Sequence, residues 1–251
     1  MIFFPNAKIN LGLNIIEKRP DGFHNIETLF VPCSEYCDIL EVLYAEKFSM
    51  HLYGIALDGD PMDNLCVKAY RLLADIYDLP PVAIHLYKKI PVGAGLGGGS
   101  SDAAGTLILL NKMFSLELTD EVLAAHAASL GSDCPFFIYN RPMYATGRGE
   151  ILSPVEISPN DYRIELVNPD IFISTKEAYA GVTPRKPEIS ISEIIKRPVE
   201  EWWGLLKNDF EESLFLKYPS LAAEKEALYA RGAVYASMSG SGSALYGLFK
   251  K

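Results

Sequence analysis

The sequence predicts an α+β protein built as two domains, and three observations carry that expectation. Strand-type alternation and helix-type periodicity both occur along the chain. A glycine-rich stretch, residues 90–104, joins a strand pattern to a helix pattern. After Gly147-Arg148-Gly149 the character changes, which puts a boundary near residues 148–160 and divides the chain into residues 1–150 and 151–251. A length of 251 residues is enough for one large domain or two small ones.

The elements follow in order. Residues 7–15 alternate: Ala7, Ile9, Leu11, Leu13 and Ile15 fall on one face of a strand, Lys8, Asn10, Gly12 and Asn14 on the other. A lysine between asparagines on a strand face is either solvated or lines a polar cleft, and periodicity alone puts the solvated face slightly ahead. Pro20-Asp21-Gly22 marks a turn, which leaves Phe23 and His24 at its end, ahead of a strand over 25–31. A loop histidine is usually idle. Beside an aromatic it equally suits a flat ring, one group stacking and the other hydrogen-bonding. Residues 38–44 and 48–53 read as strands from their β-branched and aromatic content. Asp63-Asn64-Leu65 opens a helix to about Tyr77, with Leu65, Ala69, Leu72, Leu73 and Ile76 on its apolar face. Residues 82–87 form a strand leading through Lys88, Lys89 and Pro91 into the glycine stretch. His51, His85 and His126 are expected to have no chemical role.

Five glycines crowd that stretch: Gly93, Gly95, Gly97, Gly98 and Gly99. Glycine permits positive φ and close approach of a ligand to the main chain, at an entropic cost that a plain turn does not justify. Ser100, Ser101 and Asp102 are cap and first-turn residues, so a helix should start there. Residues 105–113 are apolar nearly all round, so that helix should be buried. A glycine loop feeding a helix N-terminus is an anion site, and the usual biological anion is phosphate. Three phosphate loops compete. Walker A fails because Gly98-Gly99-Ser100 lacks its lysine. Gly93, Gly95 and Gly98 satisfy G-x-G-x-x-G, with Glu117 at roughly the spacing of the acidic partner. Leu116-Glu117-Leu118-Thr119, however, leads into a helix pattern instead of closing a second strand. The third is P-x-G-x-G-L-G-G-G-S-S-D-A-A, considered below.

Residues 120–130 read as a helix with Gly131 as its C-cap. In Gly131-Ser132-Asp133-Cys134-Pro135-Phe136-Phe137 a charge stands between a helix end and an expected apolar strand. Asp133 is either a turn residue bonding its own backbone or a carboxylate held at a cleft wall. Further on, residues 162–168 are a strand, and Ser174-Thr175-Lys176-Glu177-Ala178-Tyr179 starts a helix. Residues 183–197 are loop with a short helix, and residues 209–216 and 221–230 are helical. Residues 233–238 and 243–249 are strands joined by Ser239-Gly240-Ser241-Gly242.

The composition is 49% hydrophobic and 22% charged, an ordinary globular mix. A net charge of −9 repels phosphate backbones, which disfavours nucleic acid as a partner. The four cysteines, Cys33, Cys37, Cys66 and Cys134, lack zinc spacing. Cys33 and Cys37 could meet on a helix, but reduced core thiols are favoured. No stretch is apolar enough to span a bilayer, and no leader signal is visible. A cytoplasmic protein without membrane partners is therefore expected.

Three stretches together resemble the motifs of the GHMP kinases: Pro5-Asn6-Ala7-Lys8-Ile9-Asn10-Leu11-Gly12-Leu13, the glycine loop, and the Ser239-Gly240-Ser241-Gly242 hairpin, with Gly131-Ser132-Asp133-Cys134-Pro135 between the last two. The resemblance covers essentially the whole chain. It implies an N-terminal ribosomal-protein-like domain and a C-terminal ferredoxin-like domain. It implies ATP on Pro91, Val92, Gly93, Ala94, Gly95, Leu96, Gly97, Gly98, Gly99, Ser100 and Ser101, with Asn64 and Lys88 near the nucleotide. Asp133 would be the catalytic base and Lys8 its partner in catalysis. Arg19-Pro20-Asp21-Gly22-Phe23-His24 resembles the members that act on a small molecule carrying a cytidine diphosphate group. The ring would stack on Phe23 and Tyr179 and be read by His24, while Asn10, Thr175 and Gly240 would hold the rest. The residue before the histidine is commonly tyrosine there; Phe23 keeps the stacking and loses any bond through the phenol. Mg²⁺ would accompany ATP, with Ser101 or water among its ligands; the sequence shows no carboxylate cluster that would mark a protein-held metal site. A kinase of homoserine or mevalonate, or a non-catalytic binding protein on the same fold, stays open beside this reading.

Overall fold

The computed structural model describes residues 1–57, 59–157 and 161–251. Strand β1 (Ile2–Phe3) is followed by two long strands, β2 (Asn6–Lys18) and β3 (His24–Cys37). The chain forms two compact units that interleave along the sequence: residues 1–8, 32–92 and 97–141, and residues 9–31, 93–96 and 142–251. A cut near residues 148–160, whose last three residues lie outside the described ones, follows the chain once. The compact units do not, because β2 and β3 are long enough to supply residues to both.

The first unit holds β4 (Ile39–Tyr44), β5 (Ser49–Gly54), α1 (Leu65–Tyr77), β6 (Val82–Lys88), α2 (Gly98–Met113), α3 (Asp120–Ala128) and α4 (Cys134–Tyr139). Its sheet runs β1-β4-β6-β5, with β5 parallel to β6 and the other pairs antiparallel. Period-two alternation sends Leu40, Val42, Ile84 and Leu86 inward. Helix α2 packs so closely that a Cβ on Gly105 would stand 2.8 Å from the Phe3 ring and 3.3 Å from Leu40.

Four local expectations are corrected here. Helix α2 starts at Gly98, not at Ser100, since Gly97 in the left-handed region is its N-cap without any side-chain cap bond. The apolar run after Asp133 is the helix α4, not a strand; runs this short fit either. Pro135 stands near its start, where a missing N–H loses no bond, and Asn140 ends it in the left-handed region. Helix α3 is capped at Ser129 before Gly131 is reached. The buried face of α1 is turned toward Cys66, Val67 and Tyr70 beside Ala69 and Leu73, and Ile76 is exposed. Cys33 and Cys37 lie on β3, and all four cysteines are free thiols.

The second unit adds β7 (Met143–Thr146), β8 (Ile151–Pro154), β9 (Tyr162–Val167), α5 (Thr175–Ala180), α6 (Ile191–Ile194), α7 (Phe210–Lys217), α8 (Pro219–Ala230), β10 (Tyr235–Met238) and β11 (Leu245–Lys250). One sheet runs β2-β3-β7-β8 and the other, antiparallel, β10-β11-β9. Leu13, Ile15 and Ile26 pack with Phe210, Leu214, Leu221, Leu228, Met238 and Leu245 in one core. Among the described residues no helix is long and apolar enough to cross a membrane.

Candidate active site

Lys8 is the first candidate side chain along the chain, and the solvated face allowed by periodicity is not what forms. Both faces of β2 are buried from Asn6 to Ile15. The Lys8 side chain is 4% exposed, and its ammonium stands 3.5 Å from the carboxylate of Asp133, which is 34% exposed. Burial lowers the Lys8 pKa, and the charge and hydrogen bond of Asp133 only partly oppose it. Asp133 holds the N-cap position of α4 without capping it, so its oxygens are not spent on that helix end. The turn is braced by Asn140, whose Nδ2 donates to Asn6 Oδ1 at 2.8 Å.

The glycine loop meets this pair directly. Gly97 has φ 72°, and a Cβ there would lie 2.8 Å from Phe137 Cζ and 3.1 Å from Lys8 Cγ. Only glycine brings the start of α2 against the lysine. The first α2 N–H groups have no intrahelical acceptor, and the first bond of the helix runs from Ser101 N–H to the Gly97 carbonyl at 2.9 Å. Gly99 is exposed beside them. The helix start and the Asp133 turn are also joined by Ser100, whose hydroxyl bonds the Cys134 thiol; burial nonetheless pushes that thiol up to about 11. The arrangement supplies a phosphate cradle, a cation and a carboxylate open to solvent.

Lys88, expected near the nucleotide, lies in a buried charge cluster. Its ammonium is buried, bonded to Asp102 at 2.7 Å and to Asp38. Asp38 also accepts the N–H groups of Lys89 (2.5 Å) and Ile90 (2.8 Å), tying down the entry to the loop. Asp102 Oδ1 is buried without a hydrogen-bond partner. A Cβ on Gly98 would lie 3.2 Å from Lys88 Nζ, so the cluster sits under the α2 N-terminus. Sequence reasoning missed Asp38 and read Asp102 only as a cap or first-turn residue; the signal for the cluster was a lysine at an inward strand position. Asn64 caps α1, its Oδ1 accepting the Cys66 N–H at 2.8 Å.

In the second unit, residues 93–96 of the loop lie on the β10–β11 turn. A Cβ on Gly95 (φ 76°) would stand 2.0 Å from the Ser239 carbonyl oxygen. The Ser239 hydroxyl donates to the Gly95 carbonyl at 2.9 Å, and the Ala244 N–H donates to that of Ala94 at 3.1 Å. Gly240 is buried against Gly95. Asn10 is also buried, with Nδ2 donating to Thr28 Oγ1 at 2.9 Å and its N–H to Ser239 Oγ at 3.3 Å. Its amide therefore braces the hairpin, a use the sequence did not suggest. Phe23 is exposed, His24 lies flat on Tyr179 with ring centroids 4.6 Å apart, and Tyr179 meets Phe210 edge-on. Burial and Lys18 lower the His24 pKa, favouring the neutral imidazole. Ser174 caps α5, which leaves Thr175 exposed at its first position with Tyr179 one turn on. A cavity of about 370 Å³ lined by Asn14, Ile191, Lys207 and Asp209, among others, includes none of the expected site residues.

Residues 64–141 match the family described as GHMP kinases N terminal domain, and residues 191–251 that described as GHMP kinases C terminal. The 4-diphosphocytidyl-2-C-methyl-D-erythritol kinase of Bacteroides thetaiotaomicron is 56% identical over 254 residues, covering 100% of this chain and 92% of the relative. That of Bacteroides fragilis is 54% identical over 253 residues, covering 99% and 92%. A crystal structure of 4-(cytidine 5'-diphospho)-2C-methyl-D-erythritol kinase aligns with a TM-score of 0.83 at 33% identity, over 99% of this chain and 90% of that one. The chain belongs to the GHMP kinases. It is a small-molecule kinase of mixed α+β fold that takes ATP.

Proposed function

We propose that the chain transfers the γ-phosphoryl group of ATP to the 2-hydroxyl of 4-diphosphocytidyl-2-C-methyl-D-erythritol, a step of the non-mevalonate route to isoprenoid precursors. The observation that carries the chemistry is the buried Lys8 ammonium 3.5 Å from the solvent-open carboxylate of Asp133. Phosphoryl transfer asks mainly for positioning and charge stabilisation. The α2 N–H groups and the glycine loop hold the phosphates. Asp133 orients the acceptor hydroxyl and takes its proton as the oxygen attacks phosphorus; ADP leaves, and the proton passes to solvent. Lys8 steadies Asp133 and offsets the charge growing on the transferred group. The Lys88 ammonium serves the loop from beneath, and Asn64 retains Nδ2 as a donor for the nucleotide.

The acceptor assignment is supported by the names of the relatives and by an aromatic set suited to a planar base. Phe23 supplies an open ring, His24 a hydrogen-bonding imidazole next to Tyr179, and Thr175 a hydroxyl for the remainder. Mg²⁺ enters with ATP. Among the described residues no three His, Cys, Asp or Glu side chains are grouped to hold a metal ion. Ser101 or water would be among the Mg²⁺ ligands, and the ion would offset the charge on the phosphates. The test is a coupled ADP-release assay on 4-diphosphocytidyl-2-C-methyl-D-erythritol, homoserine and mevalonate side by side. The first should be turned over and the others barely; equal turnover of homoserine or mevalonate overturns the acceptor and leaves the kinase.

A further inference from the structure

Phe23 is 53% exposed at the tip of a turn, where an aromatic ring is ordinarily free to swing. Its backbone is held at both ends. The Phe23 N–H donates to Asp21 Oδ1 at 3.1 Å, and its carbonyl accepts the Arg19 N–H at 2.8 Å. The ring is held by something else: the guanidinium carbon of Arg148 lies 4.8 Å from its centroid. Arg148 is itself fixed. Its N–H donates to Glu150 Oε2 at 2.5 Å, its Nε pairs with Glu150 Oε1 at 3.6 Å, and the Ile26 N–H donates to the preceding Gly147 carbonyl at 2.7 Å. That last bond fastens the arginine's turn to β3 three residues beyond Phe23. A cation over one face of an exposed ring leaves the other face for a second flat group.

We propose that Arg148 is a positioning residue for base recognition: its guanidinium backs Phe23 and presents the opposite ring face to the cytosine of the acceptor. The inference rests on the cytidine reading above and adds a residue to it. The cation acts through the ring quadrupole and by restricting the ring's rotation before the base arrives, so that less ordering is left for binding to supply. Arg148 touches no substrate atom in this account.

The experiment is titration of the full chain with cytidine 5'-diphosphate by calorimetry. The variants are Phe23→Ala, Arg148→Met, Arg148→Gln, Arg148→Lys and the Phe23→Ala/Arg148→Met pair, each checked by melting curve. Phe23→Ala should weaken binding about 5- to 150-fold. Arg148→Met and Arg148→Gln should each weaken it about 2- to 5-fold. Arg148→Lys, which keeps a cation over the ring, should stay within about twofold of the parent. In the Phe23→Ala background, Arg148→Met should add nothing. A full Arg148 effect in that background means direct contact with the diphosphate and overturns the proposal, as does parental affinity in Arg148→Met and Arg148→Gln. If Phe23→Ala alone binds like the parent, the cytidine reading itself fails, an outcome distinct from either.

Discussion

Two lysines of the first unit are buried to nearly the same degree, with side chains 4% and 3% exposed, and both face aspartate. Their settings are otherwise opposed. Lys88 lies between two carboxylates that are themselves buried, Asp38 and Asp102. Burial pulls its pKa down, but the two aspartates outweigh that and raise it. Lys8 faces Asp133 at a longer 3.5 Å, the aspartate shares its charge with water, and burial wins, so the Lys8 pKa falls. The burial of a lysine therefore says little about its work. The number, distance and burial of its carboxylates decide whether burial or the neighbouring charges set its pKa.

The sharpest way to break the contrast is Asp133→Asn. Removing the base should lower turnover by about 10²- to 10⁴-fold, read by coupled ADP release. The melting temperature should stay close to the parent's, because Asp133 is partly solvated. Near-normal turnover would mean that positioning alone carries the reaction. Lys8→Met should also lose turnover; a rise confined to the Michaelis constant for ATP would reduce Lys8 to a phosphate contact.

Lys88→Met should act on the other axis. It strands two buried carboxylates and should cost about 3–5 kcal/mol of stability, measured by urea titration. A variant as stable as the parent that has lost ATP affinity would return Lys88 to the nucleotide-contact role the resemblance implied. The most gradual effect concerns Asp102. Burial pushes it up to about 7 against the pull of Lys88, with Asp38 adding to the rise, from an ordinary value of 3.8. The folded state thus holds this proton more tightly than the unfolded chain. The stability it contributes is complete below about pH 4 and lost as pH rises through about 7, with a slope of at most about 1.4 kcal/mol per pH unit. Asp102→Asn should remove that slope from melting profiles over this window. An unchanged profile would show that Asp102 is ionised throughout.

Much of the frame was legible because local chemistry and tertiary structure agree. Asn64 ahead of an apolar period marks α1, and the alternation of residues 7–15 marks β2. What alternation could not tell is that the polar face of β2 is also buried, since periodicity separates two faces without saying what covers them. The run from Cys134 to Phe137 is too short to separate helix from strand. The short strands β1, β7 and β8 carry too few residues to show a period. Lys8, Asp133 and the glycine loop stood out as unusual residues in unusual places. The Lys88 cluster did not, because its carboxylates lie 50 and 14 residues away along the chain and nothing local links them. Arg148 was invisible for the same reason, its target ring belonging to a turn far upstream.

The bond from the Ser239 hydroxyl to the Gly95 carbonyl joins residues 144 positions apart. Synthesis on the ribosome is vectorial, so residues 93–96 emerge long before the hairpin that fixes them. Contacts of such separation form late and slowly. During translation the loop's bonds to this hairpin therefore wait until residues 239–244 have been made. A chain interrupted before Ser239 would therefore lack this fastening of the loop, although every residue of the glycine motif has been made.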